Sequence, residues 1–166
     1  MQAMLRESVL PADVKAVREI VSSTGFFTPA EVDVAVELAQ ERLVRGAASG
    51  YSFIFADADG RAAGYSCYGP IACTVGSFDL YWIAVHRQFQ ARGLGKLLLG
   101  QTEERIRDAG GRRIYVETAS RAQYDPTRRF YERCGYVCEA VLKDFYTPGD
   151  DKVVYSKPVP HPPAGG

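Results

Sequence analysis

The feature that most constrains the fold of this chain is the strand, turn and helix pattern between residues 78 and 109. Residues 78–85 are rich in aromatic and β-branched side chains, which predicts a central strand. A turn with two glycines follows. Residues 93–109 then predict a helix, because apolar side chains recur at helical spacing at Leu94, Leu97, Leu98, Ile106 and Ala109. Gly110 and Gly111 end this helix, as glycine commonly does.

The remaining patterns predict a mixed α/β fold. Thr28, Pro29 and Glu31 have the spacing of a helix start, and that helix stops near Gly46. Apolar spacing predicts another helix over residues 11–23, and a short helix is predicted over residues 127–134, closed by Gly135. Strands are predicted over residues 4–9, 51–56, 62–68, 113–119, 136–142 and 152–156. The order β-α-α-β-β-β-α-β-α-β-β predicts about seven strands in a central, mixed, mostly antiparallel sheet flanked by four helices.

Length and composition bound the class of protein. The chain has 166 residues and 46% hydrophobic residues, which suits one globular domain, predicted over residues 1–157. The tail, residues 158–166, is rich in Pro and Gly and is predicted to be disordered. Lys+Arg and Asp+Glu number 20 each, so no nucleic-acid partner is expected. No apolar run approaches the roughly 20 residues that span a bilayer, so we expect no membrane partner and a cytoplasmic location. The cysteine and histidine spacing predicts no metal site.

The strongest local signal is the hexapeptide Gln-Ala-Arg-Gly-Leu-Gly at residues 90–95. It places the backbone amides of residues 92–96 at a helix N-terminus, where they lack intrahelical partners and where the helix dipole favours an anion. Glycines allow phosphate oxygens to approach the main chain, and Arg92 and Lys96 add positive charge. The segment therefore predicts a pyrophosphate-binding turn. A purely structural turn with two glycines is the alternative.

With its flanking segments, this hexapeptide resembles the signature of the GNAT superfamily of N-acetyltransferases, Q/R-x-x-G-x-G/A after a strand. Residues 129–136, Arg-Phe-Tyr-Glu-Arg-Cys-Gly-Tyr, resemble the family's second helix-and-turn motif, and the similarity of element order extends over residues 4–157. The resemblance implies acetyl-CoA as the donor and a primary amine as the acceptor, with direct attack in a ternary complex. The alternative is a non-catalytic acyl-CoA-binding or sensing module.

The resemblance also implies a set of cofactor-binding residues. Ile83, Ala84 and Val85 would offer backbone groups to the pantetheine arm in the manner of an added strand. The pyrophosphate would be held by Gln90, Arg92, Gly93, Leu94, Gly95 and Lys96. The family motif often has Asn where this chain has Tyr124, so Thr127 and Arg128, with Phe130, are expected to supply further cofactor contacts.

Tyr131 falls on the family tyrosine that protonates, or donates a hydrogen bond to, the departing thiolate. The alternative is a helix tyrosine that only packs beside Phe130. The attacking amine must also lose a proton, since an unperturbed lysine-like amine has a pKa of about 10.4. Asp79 is the first candidate base, acting directly or through water, and a solvent-facing aspartate is the alternative. Glu117 is the second candidate, although pairing with Arg113 or Arg129 would explain it equally well.

The resemblance also implies that acceptor specificity is set by the connection between the first two helices and by the final hairpin. Phe26, Phe27, Tyr81 and Tyr146 are the candidate acceptor-binding residues, since aromatic rings near acids such as Asp150 suit a cationic amine. An equal interpretation is that Phe26, Phe27 and Phe145 only close the core and that Asp150 and Asp151 serve the turn. The sequence leaves the acceptor open between a small-molecule amine and a protein N-terminus. The resemblance also implies a homodimer.

Overall fold

A computed structural model describes residues 2–161 of the chain. Over these residues the sheet has seven strands in the order β1-β2-β3-β4-β5-β7-β6, and the fold is α/β with four α-helices, as the sequence predicts. The elements are β1 (Met4–Arg6), α1 (Asp13–Ser23), α2 (Pro29–Arg45), β2 (Ser52–Ala58), β3 (Arg61–Pro70), β4 (Ser77–Val85), α3 (Leu94–Asp108), β5 (Arg113–Ala119), α4 (Asp125–Arg133), β6 (Val137–Thr147) and β7 (Asp150–Pro158). Short 3-10 turns at Gly46–Ser49, Arg87–Phe89 and Ala122–Tyr124 were not predicted from the sequence.

The start of α2 follows directly from local chain chemistry. The Thr28 side chain accepts a hydrogen bond from the amide of Glu31, and the Glu31 carboxylate accepts one from the amide of Thr28 at 2.7 Å. Pro29 occupies the first turn, where its missing N–H costs nothing. This capping box satisfies two donors that the helix itself leaves unpaired, and it fixes where the chain turns into α2.

The chain forms two compact units. The first contains the described residues up to Gly69 together with Leu80–Glu104. In this unit β1 pairs antiparallel with β2, and β2 with β3. Its core joins apolar faces of α1 and α2 to the sheet, with residues such as Val17, Ile20, Val36, Phe53 and Tyr65 almost fully buried. Rings of Phe53, Phe55 and Tyr65 stack at centroid distances of 5.8–6.0 Å, which fixes the packing of β2 against β3.

A charged cluster ties the beginning of the chain to this unit. The Arg6 guanidinium donates to both carboxylate oxygens of Asp13, at 2.6 and 2.7 Å, and to Asp57 at 2.6 Å. Asp13 is buried, so this pairing offsets the cost of removing its charge from water. The two carboxylates raise the pKa of Arg6 above its usual value although burial opposes the shift. β1 ends at Arg6 and is thus shorter than the predicted residues 4–9.

Two of the five residues in the predicted apolar stripe of α3 are exposed. Leu94, Leu98, Leu99 and Ile106 are buried, whereas Leu97 is 39% exposed and Ala109 lies beyond the helix end and is exposed. The spacing of four residues from Leu94 through Leu98 and Thr102 to Ile106 is the helical repeat that decides this face. The Thr102 hydroxyl lies 2.7 Å from the Ser66 hydroxyl and donates to the carbonyl of Leu98, so this buried polar pair is satisfied.

The second unit contains Pro70–Asp79 and the chain from Arg105 onward. Here β5 pairs antiparallel with β7 over its whole length, from Arg113 opposite Pro158 to Ala119 opposite Lys152. The first residues of β4, Ser77–Asp79, pair parallel with Arg113–Tyr115. α4 contributes Tyr131, whose ring lies 6.2 Å from that of Tyr155 on β7.

The last hairpin has an exposed outer strand. Every residue of β6 is exposed, including Val137, Val141 and Phe145. Its pairing with β7 is irregular twice, between Cys138 and Ala140 and again between Leu142 and Thr147, and Asp144 has a positive φ of 54°. β6 is therefore a bulged edge strand.

The ordered chain extends past residue 157, where the sequence predicted that the domain would end. β7 includes Pro158, and the amide of Val159, a buried residue, donates to the carbonyl of Arg112 at 2.8 Å. The His161 ring nitrogen Nε2 lies 2.9 Å from the carbonyl oxygen of Gly111. Residues 158–161 are thus bound to the sheet, because Val159 supplies an apolar side chain that the composition of the tail concealed. The rest of the predicted tail, residues 162–166, lies outside the described residues.

None of the helices over residues 2–161 combines the length and the apolar character needed to cross a membrane.

Candidate functional site

The turn between β4 and α3 has an unusual backbone. Ala91 has a positive φ of 60° and Gly93 one of 80°, and α3 begins at Leu94. Alanine rarely adopts this left-handed conformation, which costs about 1–2 kcal/mol, so the turn stores strain. Left-handed residues that alternate with ordinary ones turn successive amides toward one side and form an anion-binding concavity. A Cβ on Gly93 would meet nothing within 4 Å, so Gly93 is required for its φ rather than for space.

The side chains around this turn separate into anchors and exposed cations. Phe89 is buried, and the guanidinium groups of Arg61 and Arg92 lie over its ring at 5.0 and 5.6 Å from the centroid. The Gln90 side chain donates to the carbonyl of Val85 at 3.1 Å, which closes the turn onto the end of β4. Lys96 is exposed on the first turn of α3, and Gly95 is half-buried. The turn therefore presents positive charge beside the amides at the start of α3.

The end of β4 that precedes this turn is partly covered. Ala84 is buried, whereas Ile83 and Val85 are half-buried. The amide of His86 donates to the carbonyl of Ala63 on β3 at 2.8 Å, which fixes the end of β4 against its neighbour in the sheet. Leu94, the remaining residue of the predicted pyrophosphate set, is buried and packs α3 rather than facing solvent.

Three of the four aromatic acceptor candidates belong to the first unit. Phe27 lies 5.1 Å from Trp82 between ring centroids, and both are partly buried and pack against the core of this unit, as the interpretation of Phe27 as a core residue requires. Phe26 is half-buried beside it. Tyr81 is 36% exposed and meets the edge of the Tyr51 ring at 5.3 Å. Of the three, Tyr81 is the most accessible to a ligand.

Tyr131 lies on the buried face of α4 in the second unit. Its ring contacts Phe130 at 5.5 Å and Tyr136 at 5.6 Å. Burial raises the pKa of the Tyr131 phenol above its usual value, and Cys134 adds to the shift. A phenol in this setting keeps its proton over the whole neutral range, which is the state that a proton donor needs.

The Arg128 guanidinium is engaged within the second unit. It donates to the carbonyl oxygens of Ala119 at 2.6 Å and Arg121 at 3.1 Å and pairs with the Asp125 carboxylate. These bonds tie the first turn of α4 to the end of β5. Thr127, beside it, is half-buried. Arg128 thus has a structural role that the sequence did not predict, whereas its contact with a cofactor stays a prediction.

The two candidate carboxylates belong to one charged group in the second unit. Burial raises the pKa of Asp79 above its ordinary value, the charge of Glu117 raises it further, and the charge of Lys152 lowers it. Glu117 is paired with Lys152 at 2.8 Å, and not with Arg113 or Arg129 as the sequence suggested. Arg113 instead donates to the Ser156 hydroxyl at 2.8 Å. Asp79 is therefore the carboxylate whose environment favours uptake of a proton.

Lys152 is the residue of this group that the sequence analysis missed. Its ammonium lies 4.4 Å from the centroid of the Phe145 ring, and its side chain is only 15% exposed. Val154 lies opposite Glu117 in the β5–β7 register, so Lys152 is a diagonal neighbour of Glu117. A correct β5–β7 register would have revealed this pair. Tyr146, the fourth acceptor candidate, is 47% exposed and meets the Phe145 ring at 5.0 Å.

The described cysteines and acids give no metal cluster. Among residues 2–161, no group of three or more His, Cys, Asp or Glu side chains is arranged to hold a metal ion. Cys67, Cys73, Cys134 and Cys138 are free thiols.

Comparison with known proteins identifies the family. The sequence profile of the acetyltransferase (GNAT) family matches residues 15–136, most of the chain. A solved structure from Desulfovibrio desulfuricans, assigned to the GNAT family of acetyltransferases, is 52% identical with a TM-score of 0.94, covering 96% of this chain and 100% of that chain. No curated protein matches the chain in sequence.

More distant structures share the fold. An aminoglycoside 6'-N-acetyltransferase in complex with coenzyme A is 16% identical with a TM-score of 0.75, over 96% of this chain and 99% of that one. The ribosomal-protein-S18-alanine N-acetyltransferase from Escherichia coli is 19% identical with a TM-score of 0.73, over 98% and 99%. These two show the fold alone. The profile match and the 52% identical structure carry the assignment: the chain belongs to the acetyltransferase (GNAT) family.

Proposed function

We propose that this protein transfers the acetyl group of acetyl-CoA to a primary amine, by direct attack of the amine in a ternary complex. The observation that carries the proposal is the strained turn before α3, where Ala91 and Gly93 both have positive φ. Such strain persists only where the surrounding structure maintains it, and it concentrates at functional sites. In a chain of the acetyltransferase (GNAT) family, a diphosphate is the ligand that this turn suits.

The residues at the turn fit the diphosphate of CoA. The amides of Gly93, Leu94, Gly95 and Lys96 are those that a helix start leaves without intrahelical partners, and they would hold the phosphate oxygens together with the charges of Arg92 and Lys96. Gln90 would keep the turn closed through its bond to Val85. The backbone of Ile83, Ala84 and Val85 would bind the pantetheine arm, with Thr127, Arg128 and Phe130 as further contacts.

Acetyl-CoA, when bound, supplies an activated acetyl thioester. The side chains of the protein would carry out the proton transfers. Asp79 would accept a proton from the attacking amine, directly or through a water molecule, with Glu117 as the second candidate. Tyr131 would give a proton to the departing sulfur. The raised pKa of each of Asp79 and Tyr131 supports these roles, since a raised pKa makes the carboxylate a better base and keeps the phenol protonated.

The acceptor class is a cationic primary amine. Tyr81 and Tyr146 are exposed aromatic side chains, and Asp79 with Glu117 brings two carboxylates against one ammonium, so a net negative charge remains. Aromatic faces and carboxylates attract ammonium groups. Phe26 and Phe27 are proposed to shape the acceptor side. Structural neighbours include one enzyme named for an aminoglycoside and one for a ribosomal-protein alanine, so both small-molecule amines and protein N-termini belong in the test.

The test is a screen for CoA release from acetyl-CoA with a panel of polyamines, aminoglycosides, amino-acid amides and short peptides. Mass spectrometry then identifies which product gains an acetyl group. We expect at least one amine to accelerate CoA release and to yield an N-acetyl product. Tight acetyl-CoA binding without release for any amine would contradict transfer and support the binding module instead. If acetyl-CoA does not bind at all, the proposed role of the turn before α3 is refuted as well.

A further inference from the structure

Lys152 is more deeply buried than lysine side chains usually are. Lysine side chains are mostly exposed, but this one is 15% exposed, with its ammonium 2.8 Å from the Glu117 carboxylate and 4.4 Å from the Phe145 ring centroid. An ammonium held between a carboxylate and a ring face is fixed in both distance and direction. Its long and flexible stem is thus ordered at an entropic cost that is larger than for a branched side chain such as Ile or Leu.

The charges that meet at this point are unequal. Asp79 on β4, Glu117 on β5 and Lys152 on β7 interact electrostatically, and Tyr115 lies opposite Asp79 in the β4–β5 register. Two carboxylates and one ammonium leave one negative charge that the group does not neutralise internally. The 2.8 Å bond places the ammonium on Glu117, so Glu117 is the neutralised member of the pair.

This asymmetry assigns different chemistry to two carboxylates that the sequence left as alternatives. Glu117 is already engaged by the Lys152 ammonium at 2.8 Å, so taking up the amine proton there would break this charge pair. The other carboxylate, half-buried and repelled by its neighbour, accepts a proton more readily. When the environments of two titratable groups push their pKa values apart, the two groups take different roles in an acid-base site.

We propose that Lys152 is a positioning residue that binds Glu117 in a charge pair, and thereby leaves Asp79 as the carboxylate that takes the proton of the acceptor amine. The inference rests on the proposed acetyl transfer. In that step the amine nitrogen forms a bond to the acetyl carbon as the carbon–sulfur bond breaks. The amine proton passes to Asp79, directly or through water, and the thiolate receives the proton of Tyr131.

The experiment compares the pH profile of kcat/KM for CoA release in the wild type, Lys152→Met, Lys152→Arg, Glu117→Gln and the Lys152→Met/Glu117→Gln double variant. One acceptor amine is used throughout, so its own titration is common to all profiles. Without the ammonium, Asp79 meets an uncompensated Glu117, and the acid limb should move to higher pH. We expect the loss of kcat/KM in Lys152→Met to be largest at low pH and to vanish at high pH, since only the fraction of free base changes.

The other variants separate charge from structure. Lys152→Arg keeps the charge and should keep the acid limb. Glu117→Gln removes the repulsion and should move the limb to lower pH, and the double variant should return it toward the wild type. A purely structural lysine would instead lower kcat/KM at every pH without moving the limb, and that result in folded Lys152→Met would overturn the proposal. If Lys152→Met does not fold, an unmoved limb in Glu117→Gln overturns it equally.

A second measurement keeps this inference apart from the proposed function. Titration of the Asp79 carboxyl carbon by NMR needs no turnover. If the wild type releases no CoA with any amine, acetyl transfer fails, yet the Asp79 titration must still move upward in Lys152→Met and downward in Glu117→Gln. Unmoved titrations refute the role of Lys152, whatever the activity.

Discussion

The sharpest prediction concerns Tyr131→Phe, which removes one oxygen and leaves the ring. The ring contacts of Tyr131 with Phe130, Tyr136 and Tyr155, at 5.5–6.2 Å between centroids, persist in the variant. The fold should therefore lose little, about 1 kcal/mol or less, which is typical for a single hydrogen-bonding group. The turn before α3, which is proposed to bind the donor, is untouched, so the Kd for acetyl-CoA should also stay close to that of the wild type.

Turnover should respond very differently. A positioned proton donor contributes about 10²–10⁴-fold to a rate, so kcat should fall by roughly that factor. At about 1.36 kcal/mol per tenfold, the loss corresponds to about 3–5 kcal/mol of transition-state stabilisation. Because burial holds the pKa of Tyr131 above its usual value, the phenol stays protonated throughout a neutral assay. The loss should therefore be equal at every pH between about 6 and 9.

The assay measures CoA release with a thiol reagent at saturating amine, and calorimetry measures the Kd. Tyr155→Phe is the matched control. It removes a second phenol of the same cluster, one that donates to Glu132 at 3.0 Å and whose pKa burial and Glu132 raise to about 12. The control should keep kcat within a few-fold of the wild type. The assignment of Tyr131 is refuted by an unchanged kcat in Tyr131→Phe, or by an equal loss in the control.

Three further predictions address the turn, the base and the fold. Gly93→Ala places a Cβ at a φ of 80°, so it should cost about 1–2 kcal/mol and weaken acetyl-CoA binding, whereas Gly60→Ala, at a φ of 77° in the β2–β3 hairpin, should cost similar stability and leave the Kd unchanged. Asp79→Asn should slow turnover yet raise the unfolding temperature at pH 7. The raised pKa means that the folded protein binds more protons than the unfolded chain just above the usual pKa of aspartate, so the ionised carboxylate destabilises the fold at higher pH. A lower unfolding temperature would contradict this sign. Arg6→Met leaves the buried Asp13 without its 2.6 Å partner and should cost about 3–5 kcal/mol in denaturant unfolding, and a loss below 1 kcal/mol would show that the cluster is not needed.

Local chemistry made much of the fold predictable. The capping box of Thr28 and Glu31 fixes the start of α2 through bonds between residues three apart, so the sequence alone contains the information. β5 has the predicted limits, residues 113–119, because Gly111 precedes it and a polar connector follows. Limits that depend on tertiary contacts were less accurate. β1 ends at Arg6, whose guanidinium donates to Asp13. β7 continues to Pro158 because Arg113 of β5 pairs with that residue.

The candidate site was predictable in its motifs but not in its pairings. The hexapeptide at residues 90–95 marks the turn before α3, yet nothing in the sequence announces that Ala91 is left-handed, since alanine normally avoids that conformation. The partner of Glu117 was missed because it depends on the β5–β7 register, which joins residues 35 positions apart. The role of Arg128 in holding the loop after β5 depends likewise on carbonyl groups whose direction only the fold determines.

The two irregularities of β6 bear on how the molecule behaves at high concentration. A straight outer strand offers its free amides and carbonyls to any neighbouring molecule, and adjacent copies then join into ribbons. Between its two irregularities, β6 pairs regularly with β7 only over residues 140–142. This stretch is too short to nucleate such growth. The hairpin can therefore expose Val137, Val141 and Phe145 to solvent without promoting fibre growth. Any association of copies at β6 would depend on side-chain packing rather than on main-chain hydrogen bonds.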